Sequence, residues 1–167
     1  MSLQAIETAL LDALTRGGIR AVEAFPSGSM KRLTRPVTAV ALASADAGEA
    51  AFCQYLGQQW NETEQIWEEL YGKQVELSFT LDIFSPKTED YGAAGCRAVF
   101  DDIAGQMLTA APSGLRVNAF SCGPVSFNKD MDAFHCRAEA RCTAYLCAVS
   151  SDEDETLLDF ELRGMMQ

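Results

Sequence analysis

Apolar and polar residues alternate along KQVELSFTLDIFSP, residues 73–86. Val75, Leu77, Phe79, Leu81 and Ile83 take one face, and Gln74, Glu76, Ser78, Thr80 and Asp82 take the other. A period of two belongs to a half-buried strand, because successive side chains leave opposite sides of the pleat. MDAFHCRAEARCTAYLCAV, 131–149, repeats the pattern. Phe134, Cys136, Ala138, Ala140, Cys142, Ala144 and Leu146 alternate with His135, Arg137, Glu139, Arg141, Thr143 and Tyr145. Thr156–Arg163 predicts a last strand, with Leu158, Phe160 and Leu162 on one side. PVTAVALASA, 36–45, predicts a strand that starts after a proline, where the missing N–H costs no ladder bond, and DAGEA breaks it. Ile19–Phe25 is a short extended run. GLRVNAFSCGPVSFN holds a strand that ends at Cys122-Gly123-Pro124, and KDMD is a turn.

Two stretches change to helical spacing. Leu3, Ile6, Leu10, Leu11 and Leu14 form one stripe, with Ser2 as a cap and Gly17-Gly18 as a stop. Cys96, Val99, Phe100, Ile103, Met107 and Leu108 form the second, capped by Thr88 and closed by APSG. The segment AFCQYLGQQWNETEQIWEELYGKQ carries Phe52, Tyr55, Trp60, Trp67 and Tyr71 around the polar centre Asn61–Glu64. It predicts a long β-hairpin with arms near 51–59 and 66–84, in which Gly57 and Gly72 suit bulges. A helix over 61–71 is the alternative.

The order helix, strands, helix, strands predicts an α+β fold. Its antiparallel sheet has two helices packed on one face, a polar second face and the long β-hairpin. One domain spans 1–167, with no repeat or linker.

Composition narrows the function classes. No apolar run reaches membrane-spanning length, and the start, MSLQAIETALLDALTRGG, carries Glu7 and Asp12 among spaced apolar residues. Neither a membrane span nor a secretion signal is expected, which points to the cytosol. The formal charge is −11, from 13 basic and 24 acidic residues. That sign repels phosphate backbones and anionic membranes, so neither specific nucleic-acid binding nor membrane association is expected.

Candidate chemistry is sparse. Cys53, Cys96, Cys122, Cys136, Cys142 and Cys147 include no C-x-x-C pair, and His135 is the only histidine. Buried free thiols are expected, with no metal, no cofactor and no disulfide framework. His135 and Cys136 are neighbours on a strand, so their side chains diverge and cannot act as base and nucleophile. Asp152–Glu155 lacks the spacing of a calcium loop. No phosphate-binding glycine loop and no G-x-S-x-G occur, so no catalytic residue is assigned and no enzyme activity is expected. Two features carry contact potential. His135, Arg137, Glu139 and Arg141 place both signs of charge in a row, which is either a solvated face or a subunit contact. Trp60 and Trp67 flank a polar turn, where they serve the core or anchor a partner.

LQAIETALLDALTRGGIRAVEAFP, the TRPVTAVAL strand, and YGKQVELSFTLDIFSP followed by GCRAVFDDIAGQML resemble the tail-terminator, or tail-completion, proteins of phages and prophages. The likeness covers about residues 1–110. It implies an α+β subunit without enzyme activity that forms a ring, usually a hexamer, at the head-proximal end of the tail tube. The implied partners are other copies of the chain, the tube and the head–tail connector. The implied location is the bacterial host cytoplasm during assembly and the virion tail afterwards. Two other functions stay open: a cytosolic small-ligand binding domain with a pocket between sheet and helices, and an enzyme using one cysteine.

Overall fold

A computed structural model describes residues 3–23, 33–49, 54–150 and 160–161. The elements in chain order are α1 (Leu3–Arg16), β1 (Ala21–Val22), β2 (Val37–Glu49), β3 (Tyr55–Asn61), β4 (Ile66–Pro86), α2 (Gly92–Thr109), β5 (Arg116–Cys122), β6 (Ser126–Asn128), β7 (Ala133–Ser150) and β8 (Phe160–Glu161). The class is α+β.

β4 and β7 form the centre of the sheet. They pair antiparallel in one unbroken register from Glu69↔Ser150 to Pro86↔Ala133. The two alternations are in phase, so both apolar faces fall on the same side. There Val75, Leu77, Phe79, Leu81 and Ile83 stand opposite Ala144, Cys142, Ala140, Ala138 and Cys136. Large side chains on β4 thus meet small ones on β7, and α2 lies across both strands. β2 and β3 follow one another along the outer side of β4, while β5, β6 and β8 do the same along β7.

One core fills the space between helices and sheet. Ile6, Leu10 and Leu14 of α1 join Cys96, Ile103 and Met107 of α2 and the inner residues of β2, β4 and β7. α1 ends as its glycines predict. Gly18 takes φ +83°, and the N–H groups of Gly18 and Ile19 donate to the carbonyls of Thr15 and Leu14. That is the left-handed closing turn for which glycine has no Cβ penalty. The Gln106 amide then donates to the carbonyl of Ala13, at 3.0 Å, and ties α2 to the last turn of α1.

Four expectations need correction. The sheet is mixed rather than purely antiparallel, because β1 pairs parallel to β2 at Ala21↔Thr38 and Val22↔Ala39. The connection from Val22 to Val37 is long enough for the crossover that a parallel pair needs. β2 does not stop at DAGEA. A bulge between Leu42 and Ser44 resets its phase, and pairing with β4 carries it on to Glu49. At the bulge the Leu42 N–H donates to Glu7 Oε1 on α1 at 3.2 Å. α2 begins at Gly92 without a side-chain cap, because Tyr91 and not Thr88 stands at the N-cap position; the Thr88 N–H donates to the carbonyl of Pro86. Leu108 is not part of the buried stripe; it is 72% exposed. Ser2, Cys53, Phe52 and Asp152–Glu155 lie outside the described residues, as do the whole loop PSGSMKR and most of the predicted last strand.

Residues 61–71, open between helix and strand in the sequence, form a turn and then β4. Asn61 Oδ1 accepts from the N–H groups of Thr63 and Glu64, at 2.9 and 3.2 Å, and Gln65 takes φ +57°. The asparagine side chain thereby satisfies the turn's backbone donors.

The packing makes a direct stability prediction. Phe79 is fully buried, whereas Phe100 is half-buried and meets Phe120 edge to face, with ring centroids 6.4 Å apart. Phe79→Ala is expected to cost about 3–5 kcal/mol, and Phe100→Ala clearly less. Urea unfolding of both variants checks the order; the reverse order would mean that the helix-covered face is misassigned.

Candidate functional site

The length of β4 decides how the candidate residues group. Its 21 residues span about 70 Å at the usual rise per residue, whereas the 18 residues of α2 span about 27 Å. The helices therefore cover one part of the sheet. Buried apolar residues of β4 run from Val75 to Phe84, and no described residue between 41 and 74 is a buried hydrophobic. Beyond the helices the sheet continues as a ribbon made of β3, the first third of β4 and the end of β7, which pairs with β4 as far as Glu69. Trp67 and Asp82 lie about 50 Å apart along β4, so the candidate residues form two separate surfaces.

The first is at the ribbon's end. Trp60 pairs with Trp67 across β3 and β4, with ring centroids 5.5 Å apart at 63°. Tyr55 and Tyr71 make a second edge-to-face pair, at 5.6 Å. Between the pairs stand Gln58 and Glu69, and the Tyr71 hydroxyl donates to Glu69. Counting back in twos from Val75 reaches Lys73, Tyr71, Glu69 and Trp67. The aromatic pairs therefore lie on the face that the helices cover further along the strand. Here the rings stay wet: Trp60 is 44% exposed and Trp67 is 64% exposed. The opposite face of the ribbon is tied down by Asn61 Nδ2 donating to Glu68 Oε1 at 2.6 Å.

The second surface is the charged face of the central strands. The register puts Asp82 opposite Arg137, Thr80 opposite Glu139 and Ser78 opposite Arg141. Arg137 grips Asp82 with two bonds, Nε to Oδ1 at 2.9 Å and Nη2 to Oδ2 at 3.2 Å. His135 Nε2 reaches the same Oδ1 at 2.8 Å, and the imidazole stacks on Phe84, with centroids 4.7 Å apart. Glu139 accepts from the Ser78 hydroxyl at 2.9 Å and lies 4.0 Å from Arg141 Nε. His135, Arg137, Glu139 and Arg141 thus share one face, but His135 and Arg137 are held by a carboxylate of their own chain. Nearby is a shallow concavity of about 480 Å³, lined in part by Ser44, Asp46, Glu76, Glu139 and Arg141. Asp46 and Glu76 stand directly opposite each other in it.

The partnership of Asp82 and the stacking on Phe84 depend on register, which no local pattern reveals. The phase of the two alternations was the available signal, since it places all these residues on one face. Among the described residues, no group of three or more His, Cys, Asp or Glu side chains is placed to hold a metal ion. No described helix is long and apolar enough to cross a membrane. No protein-family model matches the chain, and a search of curated proteins gives no match.

Burial would push the Asp82 carboxyl up. The hydrogen bonds and positive charge of Arg137 and His135 outweigh it and hold the carboxyl below the usual carboxylate range. A depressed folded value means that the cluster stabilises the fold above the unfolded carboxylate pKa, near 4. The contribution is lost as pH falls through the lower folded value. Asp82→Asn is therefore expected to lower stability at neutral pH and to reduce the difference between pH 7 and pH 3 unfolding midpoints. Unchanged pH dependence in the variant would show that this cluster contributes no acid sensitivity.

Proposed function

We propose that this chain is a structural subunit of a phage or prophage tail. In this reading it is a tail terminator that closes into a ring, usually a hexamer, at the head-proximal end of the tail tube. The aromatic end of the β3–β4 ribbon joins the subunits. The partners are other copies of the chain, the tube and the head–tail connector, and no catalytic step is involved.

The observation that carries the contact is the exposure of Trp60 and Trp67. With Tyr55 they leave roughly 300–400 Å² of aromatic surface wet on a projecting ribbon, and patches of that size are often functional. Paired tryptophans are also the side chains most enriched among energetic anchors of protein contacts. A ring contact is heterologous, so the ribbon meets a different surface on the neighbouring subunit. Support for the terminator role comes from the likeness of residues 1–110 to that family. A formal charge of −11 also suits a passage that DNA crosses without adhering.

Native mass spectrometry and sedimentation of the wild type test this reading. A discrete closed oligomer is expected, and the double variant Trp60→Ala, Trp67→Ala is expected to weaken each contact by about 2 kcal/mol or more, roughly 30-fold in dissociation constant. Its unfolding midpoint should stay close to that of the wild type, because neither ring is buried. Arg141→Glu separates the two surfaces, since Arg141 pairs with Ser78 on the charged face, roughly 36 Å along β4 from Trp67. Loss of assembly in that variant alone would move the contact to the charged row. A wild type that stays monomeric at every concentration and salt would overturn the self-assembling ring.

A further inference from the structure

The register of β5 on β7 brings two cysteines into contact that the sequence separates. Cys122, the last residue of β5, pairs with Ala138. Cys136 lies two residues along β7, on the same apolar face. Their sulfur atoms are 3.3 Å apart, close enough for one thiol to donate to the other. The edge of the sheet holds them there. Directly after Cys122, the Gly123 N–H donates to the carbonyl of Arg137 at 2.8 Å, and a Cβ on Gly123 would come within 2.9 Å of that oxygen. A glycine is needed for so close an approach. β6 then continues along β7 at Ser126↔His135, so both sides of the Cys122 turn are anchored to the strand that carries Cys136.

The two thiols differ in access. Cys122 is exposed and Cys136 is fully buried. Both are free, as are the buried Cys96 and Cys142. Cys142 sits further along the apolar face of β7, opposite Val117 and Leu77. Cys96 sits on α2 and directs its thiol to the carbonyl of Ile83, at 3.9 Å.

We propose that Cys122 and Cys136 form a redox-active dithiol whose oxidant is a small soluble disulfide of the glutathione class. The Cys122 thiolate attacks one sulfur of that disulfide. The oxidant's S–S bond breaks, and one small thiol leaves with the electron pair and takes up a proton. A mixed disulfide remains on Cys122. The Cys136 thiol then gives up its proton, and its sulfur attacks Cys122 Sγ. The second small thiol departs with the electron pair and takes up that proton, and a Cys122–Cys136 disulfide remains. Two protein thiols are oxidised and one small disulfide is reduced to two thiols, so atoms and electrons balance.

The order of the steps follows from burial. Loss of solvent pushes the Cys136 thiol up to about 12, with the neighbouring Cys122 adding to the effect. Cys136 is therefore the resolving partner and not the first nucleophile, while the exposed sulfur meets the oxidant. The product clips the edge strand β5 to the centre of the sheet by a covalent bond. This inference is independent of the tail-terminator reading, since it uses only the β5–β7 edge.

Incubation of the full chain with excess oxidised glutathione tests it, read by intact mass and by mapping of alkylated tryptic peptides. The wild type is expected to lose two hydrogens and to yield a Cys122–Cys136 linked peptide. Cys122→Ser should lose the link completely. Cys136→Ala should stop at a glutathione adduct on Cys122. Cys142→Ser should still form the link. The exposed Cys122→Ser change keeps the test usable if a substitution at buried Cys136 disturbs folding. Retention of both thiols by a natively folded wild type, or linkage of Cys122 to Cys96 in place of Cys136, would overturn the proposal.

Discussion

The fold depends on one register, that of β4 against β7. All 18 residues of β7 pair with β4 without a bulge. Because side chains alternate at a period of two, a slip by one residue would turn the apolar set of one strand out into solvent. Two consequences follow from holding that register. On the apolar side, Phe79 meets Ala140 and Leu81 meets Ala138, so bulk and space are matched where α2 crosses both strands. On the other side, Asp82 meets Arg137, which adds an ion pair valid only in this alignment. Packing and charge thus specify the same pairing, and consistency of that kind favours one native arrangement over its shifted alternatives.

How much of this was legible depended on whether a feature is local. The α+β class and the inner faces of both helices follow from periodicity, since Ile6, Leu10 and Leu14 and then Cys96, Ile103 and Met107 repeat at helical spacing and are buried. The central strands follow in the same way from alternation. Features set by distant partners were not legible. The Leu42–Ser44 bulge hides the second half of β2, because an extra residue reverses the alternation. The parallel partner β1 is two residues long and has no pattern of its own. Among the candidate site residues, a shared face for His135, Arg137, Glu139 and Arg141 was readable from phase. The capture of two of them by Asp82, the stacking on Phe84 and the Cys122–Cys136 contact were not, since each depends on which residue of one strand meets which residue of another.

The same strand pair also explains why the molecule has two kinds of surface. β4 and β7 are longer than the helices that cover them, so one face changes character along its length. Under α1 and α2 that face carries Leu, Ile and Phe and is dry. Past the helices its positions pass to Lys73, Tyr71, Glu69 and Trp67, residues that combine apolar area with a polar handle. Tyr and Trp tolerate a wet position better than Leu or Ile because the hydroxyl and the indole N–H retain contact with water. A ribbon built this way keeps its polar handles in water and leaves aromatic area exposed.

Desolvation distinguishes the two surfaces as places for a contact. On the charged face, the Asp82 carboxylate is already occupied by Arg137 and His135, and Glu139 by Ser78 with Arg141 nearby. A partner docking there would strip water from groups whose best partners are taken, and a buried ion pair often fails to repay that cost. Exposed pairs of this sort contribute about 1 kcal/mol or less, so little is gained by rearranging them. The Trp60–Trp67 pair presents the opposite balance. Its rings pack edge to face on each other, and much of both remains in water. Covering them releases water from apolar area at about 25 cal/mol per Å², and the one carboxylate between the aromatic pairs, Glu69, already accepts from the Tyr71 hydroxyl. Of the two surfaces, the ribbon tip is the one that leaves more aromatic area in water, while groups of the charged row pair with one another across β4 and β7.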